Sequence, residues 1–275
     1  MKKIGGYILL GIGLSLTIGA ASSWWYYKDA LHYPDSSFAE TRALIEPYMQ
    51  VLLPPGEGPF PTALLLHGCG GVDEFSVPKA RAMVAQGYAA IIVDSNNPRA
   101  LHWTMTCDGR ALLGNQRAAD VLVALDYARG LPQVDTSALF LVGFSHGSWT
   151  ALEALHFGDS LPPGLADSPG HHLDGVRGVV AWYPYCGYGA EFRKGWDSDI
   201  PVLMLLADED EITDPRPCEA ISQQQAAAGH PVSYITYPAV THGFDVDDDW
   251  VISYDPDTAR RATAAQFEFL DGLLR

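Results

Sequence analysis

The sequence predicts a doubly wound α/β domain, because short strand candidates alternate with helical patterns along almost the whole chain. The strand candidates at 63–66, 89–93 and 139–144 have no polar face, as a parallel sheet covered by helices on both sides requires. A third observation, Gly143-Phe144-Ser145-His146-Gly147 at the very end of one such strand, turns a fold class into a chemical expectation.

In chain order, Lys2 and Lys3 precede an uncharged run over residues 4–21 that is rich in Leu, Ile and Gly. That pattern is an export segment, with Gly19 and Ala21 as the small residues a processing site needs. The run also approaches spanning length, and Trp24, Trp25, Tyr26 and Tyr27 suit the headgroup boundary. A retained membrane anchor therefore competes with a cleaved signal peptide over residues 1–28. Either outcome predicts a domain on the periplasmic or extracellular side that meets membrane only through this segment. Residues 29–48 read as an irregular tether broken by Tyr33, Pro34, Asp35 and Ser36, and a single folded domain is expected over 49–275.

Residues 49–53 make a short strand candidate, ended by Pro54, Pro55 and Gly56, which cannot continue a ladder. The rhythm continues with strand 63–66, helix 77–86, strand 89–93, helix 115–129 and strand 139–144. A helix after Gly147, strands at 178–182 and 201–206, helix 218–228, strand 232–237 and a closing helix at 256–274 complete it. The Gly- and Pro-rich stretch 161–170 reads as a surface loop within the one domain.

With 17 basic against 33 acidic side chains, the formal charge of −16 repels phosphate backbones and excludes nucleic acid as a partner. The same field disfavours strongly anionic substrates. Cys69, Cys107, Cys186 and Cys218 fit an oxidising compartment and allow three pairings, while none has the close spacing of a zinc site. Asp245, Asp247, Asp248 and Asp249 lack the Gly and bidentate Glu of an EF-hand loop and read as a solvated acidic loop.

The Ser145 pentapeptide follows an apolar strand and precedes a helical pattern, the context of a nucleophile elbow, in which a sharp turn exposes the serine hydroxyl above the sheet. A serine hydroxyl needs a base, and the base needs a carboxylate to orient it. Both follow in order: an acidic loop with Asp208, Asp210 and Asp214 after the strand at 201–206, and His242 after the strand at 232–237. Asp210 is the preferred acid and Asp208 its rival. All three groups lie past the C-terminal ends of their strands, where open α/β sheets build their sites. Two backbone amides should stabilise the oxyanion, those of His146 and of Cys69 in the loop His67-Gly68-Cys69-Gly70-Gly71. That loop lacks both the G-x-G-x-x-G order and the Lys-Ser/Thr pair of phosphate cradles. Arg99, Trp182, Tyr183 and Tyr185 also follow strand ends and are candidates for the pocket wall.

Taken together, the His67–Gly71 loop, the Asp94–Arg99 segment, the Ser145 elbow, Trp182-Tyr183-Pro184, the Asp210 loop and His242-Gly243-Phe244 resemble the dienelactone hydrolase family over about residues 49–274. The resemblance implies the α/β-hydrolase fold and covalent cleavage of a small-molecule ester or lactone without metal or organic cofactor. The family's name-giving enzymes carry Cys where Ser145 stands here. An amidase or peptidase with the same triad, an acyltransferase and an idle binding domain are the competing functions, separated by peptide turnover, by partitioning to an added alcohol and by the absence of a reactive serine.

Overall fold

Residues 23, 26–30, 33–247 and 254–275 are described by a computed structural model, so the leader at 4–21 lies outside the described residues. Seven strands form one sheet: β1 (Gln50–Leu52), β2 (Phe60–Leu66), β3 (Ala89–Val93), β4 (Val134–Phe144), β5 (Val176–Trp182), β6 (Val202–Ala207) and β7 (Val232–Tyr237). Their order across the sheet is β1-β3-β2-β4-β5-β6-β7, with β1 antiparallel to β3 and every other pair parallel. The chain steps outward from β2 to β3 and then returns to β4 on the other side of β2. The topological switch therefore lies between β2 and β4, where ligands of open α/β sheets bind.

The strands are apolar on both faces because both are covered. Leu64, Leu66, Leu139, Leu141, Val179 and Met204 pack under α4 (Gly114–Arg129), α5 (His146–Phe157) and α6 (Pro215–Ala227). The alternate residues Leu65, Phe140, Val142, Val180 and Leu203 pack against α2 (Ser76–Ala85) and α7 (Pro256–Gly272) on the opposite face. The two-residue alternation of strand side chains thus divides one sheet into two cores.

Residues 33–48 are not an irregular tether. Ser37 caps α1 (Phe38–Ile45), its side chain accepting from the Glu40 amide while Glu40 returns a bond to the Ser37 amide, a capping box inside the stretch expected to be structureless. Ile45 is fully buried, Arg42 pairs with Asp126 of α4 at 2.5 Å, and Ser36 bridges to Leu165 in the 161–170 loop. A further short helix, α3 (Trp103–Cys107), lies between β3 and α4, where no helix is expected from the sequence. Among the described residues no helix is long and apolar enough to cross a membrane.

Candidate active site

β4 ends at Phe144 and α5 begins at His146, so Ser145 alone reverses the chain from strand to helix. Its backbone sits at φ 52°, ψ −114°, outside the regions open to L residues, and that strained turn lifts the hydroxyl off the sheet. Contact demands both flanking glycines: a Cβ on Gly147 would lie 2.0 Å from the Leu66 carbonyl oxygen, and one on Gly143 2.5 Å from the Ser148 amide nitrogen. The Trp182 carbonyl at the end of β5 accepts from the Ser145 amide at 2.9 Å and from Ser148 Oγ at 2.8 Å, pinning the turn.

The loops after β6 and β7 bring the expected partners to this hydroxyl. His242 Nε2 lies 2.9 Å from Ser145 Oγ, and His242 Nδ1 lies 2.8 Å from Asp210 Oδ2. Asp208 is exposed, and Asp214 caps α6, so Asp210 is the carboxylate that faces the imidazole. Its second oxygen accepts from the amides of Ile212 at 2.9 Å and Thr213 at 2.7 Å, and Thr213 Oγ1 donates to Oδ2 at 2.8 Å. Burial pushes the Asp210 carboxyl up, but the hydrogen bond and charge of His242 together with the Thr213 donors outweigh it and hold it below its ordinary value. With Oδ2 accepting, Nδ1 carries the proton and Nε2 presents its lone pair to the serine.

On the other flank, the His67–Gly71 loop passes so close that a Cβ on Gly68 would stand 3.7 Å from Ser145 Cβ. His67 is locked, its Nδ1–H donating to the Gly68 carbonyl at 2.6 Å and its Nε2 accepting from the Ser95 amide at 3.0 Å. The next residue is tied twice: Cys69 forms a disulfide with Cys107 of α3, and its carbonyl accepts from Asn96 Nδ2 at 3.0 Å. His146 is the first residue of α5, so no helical carbonyl can take its amide proton. Among the described residues neither the Cys69 nor the His146 amide has a backbone acceptor. Cys186 and Cys218 make the second disulfide, which selects one of the three pairings the sequence allowed.

Arg117 of α4 lies beneath this flank, fully buried, with Nη1 donating to the His67 carbonyl at 2.7 Å and lying 3.3 Å from His146 Nδ1, while Nε donates to Ser95 Oγ at 2.8 Å. Burial lowers its pKa to about 10, and its Nη2 has no partner among the described residues. Burial first, and the Arg117 charge second, push His146 down to about 3 and His67 well below the usual imidazole value. Both rings are therefore neutral at pH 7.

Two cavities meet at Ser145. Tyr183 lines the one that also carries His242, its ring 4.7 Å from the imidazole, and Tyr185 lines the other. Arg99 and Trp182 do not belong to the pocket wall. Arg99 is committed to Asp120 through two nitrogens, at 2.7 and 3.0 Å, and to Tyr33 Oη, and Trp182 is buried with Nε1 donating to Gln266 at 2.8 Å. Asp245 is not solvated either: its side chain is buried, pairs with Lys79 and accepts from Tyr183 Oη at 2.6 Å. Asp248 and Asp249 lie outside the described residues. No group of three or more metal-ligating side chains gathers among the described residues. Sequence reasoning missed Arg117, Thr213 and the Lys79–Asp245 pair; the signal for Arg117 was a lone cation amid the apolar positions of a buried helix.

The sheet order and the strand–serine–helix turn define a hydrolase of the α/β-hydrolase fold. The model of the dienelactone hydrolase family matches residues 49–274, and the chain belongs to that family of carboxylic ester hydrolases. It is 24% identical over 237 residues to a Synechocystis protein assigned as a carboxymethylenebutenolidase, a match covering 76% of this chain and 85% of the relative. Among solved structures it resembles a protein from Klebsiella pneumoniae assigned as a dienelactone hydrolase, with TM-score 0.64 and 20% identity over 81% of this chain and 92% of that one. Esterase 2 of Thermogutta terrifontis has the same fold, with TM-score 0.62 and 14% identity over 82% of this chain and 89% of its own.

Proposed function

We propose that the chain cleaves a carboxylic ester or lactone through an acyl-enzyme on Ser145, with His242 as base and Asp210 as its orienting acid. The observation that carries this reading is the unbroken chain of contacts from Ser145 Oγ to His242 Nε2 at 2.9 Å and from Nδ1 to Asp210 at 2.8 Å. Ser145 Oγ attacks the carbonyl carbon as His242 Nε2 takes its proton, and the imidazolium formed is stabilised by Asp210. The amides of Cys69 and His146 donate to the tetrahedral oxyanion. The C–O bond to the alcohol then breaks, the departing oxygen takes the proton from Nε2, and water repeats the sequence on the acyl-enzyme to release the acid and restore Ser145.

Labelling by a fluorophosphonate and turnover of a short-chain aryl ester are expected in the full chain and absent in Ser145→Ala. A folded wild-type protein with neither would overturn the reading. The two disulfides, Cys69–Cys107 and Cys186–Cys218, support export to an oxidising compartment. The intact mass of protein recovered from cell fractions tests the leader: a mass starting at Met1 excludes cleavage, and one starting near Ser22 excludes a retained anchor.

A further inference from the structure

Ser145 stands where two cavities of unequal size meet, both with mostly apolar walls. The smaller, about 290 Å³, is lined by His242 and Gly243 and carries Asp73, Glu74 and Lys79 in its wall. The larger, about 580 Å³, has Leu113, Trp149, Tyr185, Tyr188 and Ile212 among its walls and lacks His242. Cys69 lines both.

We propose that the substrates are uncharged esters with a bulky apolar or aromatic acyl group and a small alcohol, the acyl group filling the larger cavity. This rests on the hydrolytic reading above and adds direction, size and charge to it.

Direction follows from the proton. The leaving alcohol must take its proton from His242 Nε2, so it departs on the side that His242 lines, the smaller cavity. The acyl carbon, bonded to Ser145 Oγ, then extends its chain to the opposite side, over His146 and against Trp149 and Tyr185. Those two rings already pack together with centroids 4.9 Å apart, a preformed apolar wall of the kind that rewards aromatic and aliphatic groups.

Charge follows from where the cations are spent. Lys79 is the only Lys or Arg among the described residues lining either cavity, and its ammonium is paired with Asp245. Arg99 is held by Asp120 away from the site, and Arg117 is sealed behind the His67 loop. Asp73 and Glu74 bring negative charge to the smaller cavity, and Asp108 at the larger already occupies Arg110, which lines neither cavity. A substrate carboxylate would lose its water and gain no cation in exchange, a cost that an uncharged ester does not meet. The Synechocystis relative is named for a lactone that carries a carboxyl group, and among the described residues these cavities offer such a group no uncommitted Lys or Arg.

Two isomeric esters test direction in the full-length protein, with active sites first counted by fluorophosphonate labelling of Ser145. Methyl 3-phenylpropanoate presents the ring as acyl group, and 2-phenylethyl acetate presents it as alcohol. The first is expected to show kcat/KM higher by about tenfold or more. In Ile212→Trp, which fills the larger cavity, that ratio should fall severalfold. Methyl 3-(4-carboxyphenyl)propanoate tests charge and should be cleaved about tenfold or more slowly than its uncharged parent. Labelled protein that cleaves both isomers equally, prefers the acetate, cleaves neither, or accepts the carboxylate as readily as the parent overturns the proposal while leaving the hydrolase reading intact. Folded protein that neither labels nor cleaves overturns both.

Discussion

The two flanks of Ser145 hold their histidines by opposite electrostatics. On one, His242 lies against the Asp210 carboxylate, which favours the positive charge the imidazole acquires as it accepts the serine proton. On the other, His67 and His146 are buried around the Arg117 guanidinium, and burial first and that charge second keep both rings neutral. Rings of one type beside the same serine are thus set differently, one in position to move a proton in the proposed reaction and two held neutral. The difference teaches that burial and neighbouring charge, and not residue type, set the state of each ring.

Removing the carboxylate tests the proton-moving flank and should give the largest effect. In Asp210→Asn the neutral amide would no longer stabilise the imidazolium of the proposed mechanism, and kcat on an aryl ester is expected to fall about ten-thousandfold. Stability should change in a defined direction as well. Because the folded-state value of Asp210 lies below its ordinary one, its contribution is complete above the ordinary carboxylate value and is lost as pH falls through the depressed one. The variant should therefore show a shallower loss of stability in acid, read by urea unfolding.

Arg117→Met tests the neutral flank. It strips the His67 carbonyl and Ser95 Oγ of a buried donor, at a cost of about 1–3 kcal/mol for each group left unsatisfied. Because Arg117 braces the His67 loop and contacts His146, whose segments carry the proposed oxyanion amides, kcat per labelled active site should fall about ten- to a hundredfold with KM nearly unchanged. A purely structural role would lower the amount of folded, labelled protein and leave kcat per site where it was.

The contrast between flanks also marks how far the sequence could be read. The convergence of Ser145, Asp210 and His242 was legible because each lies past the C-terminal end of a strand readable from the sequence, and that edge is where this fold class places chemistry. The strand at 89–93 and the strand at 232–237 were legible to the residue for the same reason. Arg117 was hidden because its partners, the His67 carbonyl, Ser95 Oγ and the His146 ring, come from the loops after β2 and β3 and from α5, contacts that exist only after the sheet closes. The α1 helix was missed although Ser37 and Glu40 have capping-box spacing, because Tyr33 and Pro34 just before them drew the reading towards loop. Arg99 was misread as a pocket residue because the strand-end rule locates a region and cannot say that Asp120 already holds the guanidinium.

The disulfides sharpen the same comparison with a smaller effect. Both close loops of similar length, with sequence separations of 38 and 32, so removing either by paired Cys→Ser replacement should cost similar stability, about 2–4 kcal/mol. Only Cys69 supplies a proposed oxyanion amide. Cys69→Ser with Cys107→Ser should therefore also lower kcat severalfold, whereas Cys186→Ser with Cys218→Ser should keep kcat per labelled site within about twofold. Equal kcat losses in the two pairs would remove the Cys69 loop from the oxyanion hole.

The smallest expected effect comes from a carboxylate that lies outside both flanks. Glu153 of α5 is fully buried and accepts from Trp149 Nε1 at 2.6 Å and from the amides of Glu191 and Phe192 at 2.7 and 3.2 Å. Burial pushes its carboxyl up to about 7 despite those three donors, whereas Asp210, with an imidazole beside it, moves the other way. With the folded-state value above the ordinary one, the stability that Glu153 contributes is complete below the ordinary carboxylate value and is lost as pH rises through about 7. Glu153→Gln keeps an acceptor for Trp149 and Glu191 but cannot ionise. The variant should match wild type near pH 4 and exceed it by on the order of 3 kcal/mol at pH 8, read as the difference in stability from urea unfolding. The histidines around Arg117 titrate in both proteins and cancel in that difference. An unchanged difference between the two pH values would mean that the three donors already hold Glu153 ionised, and that hydrogen bonding outweighs burial at this site as it does at Asp210.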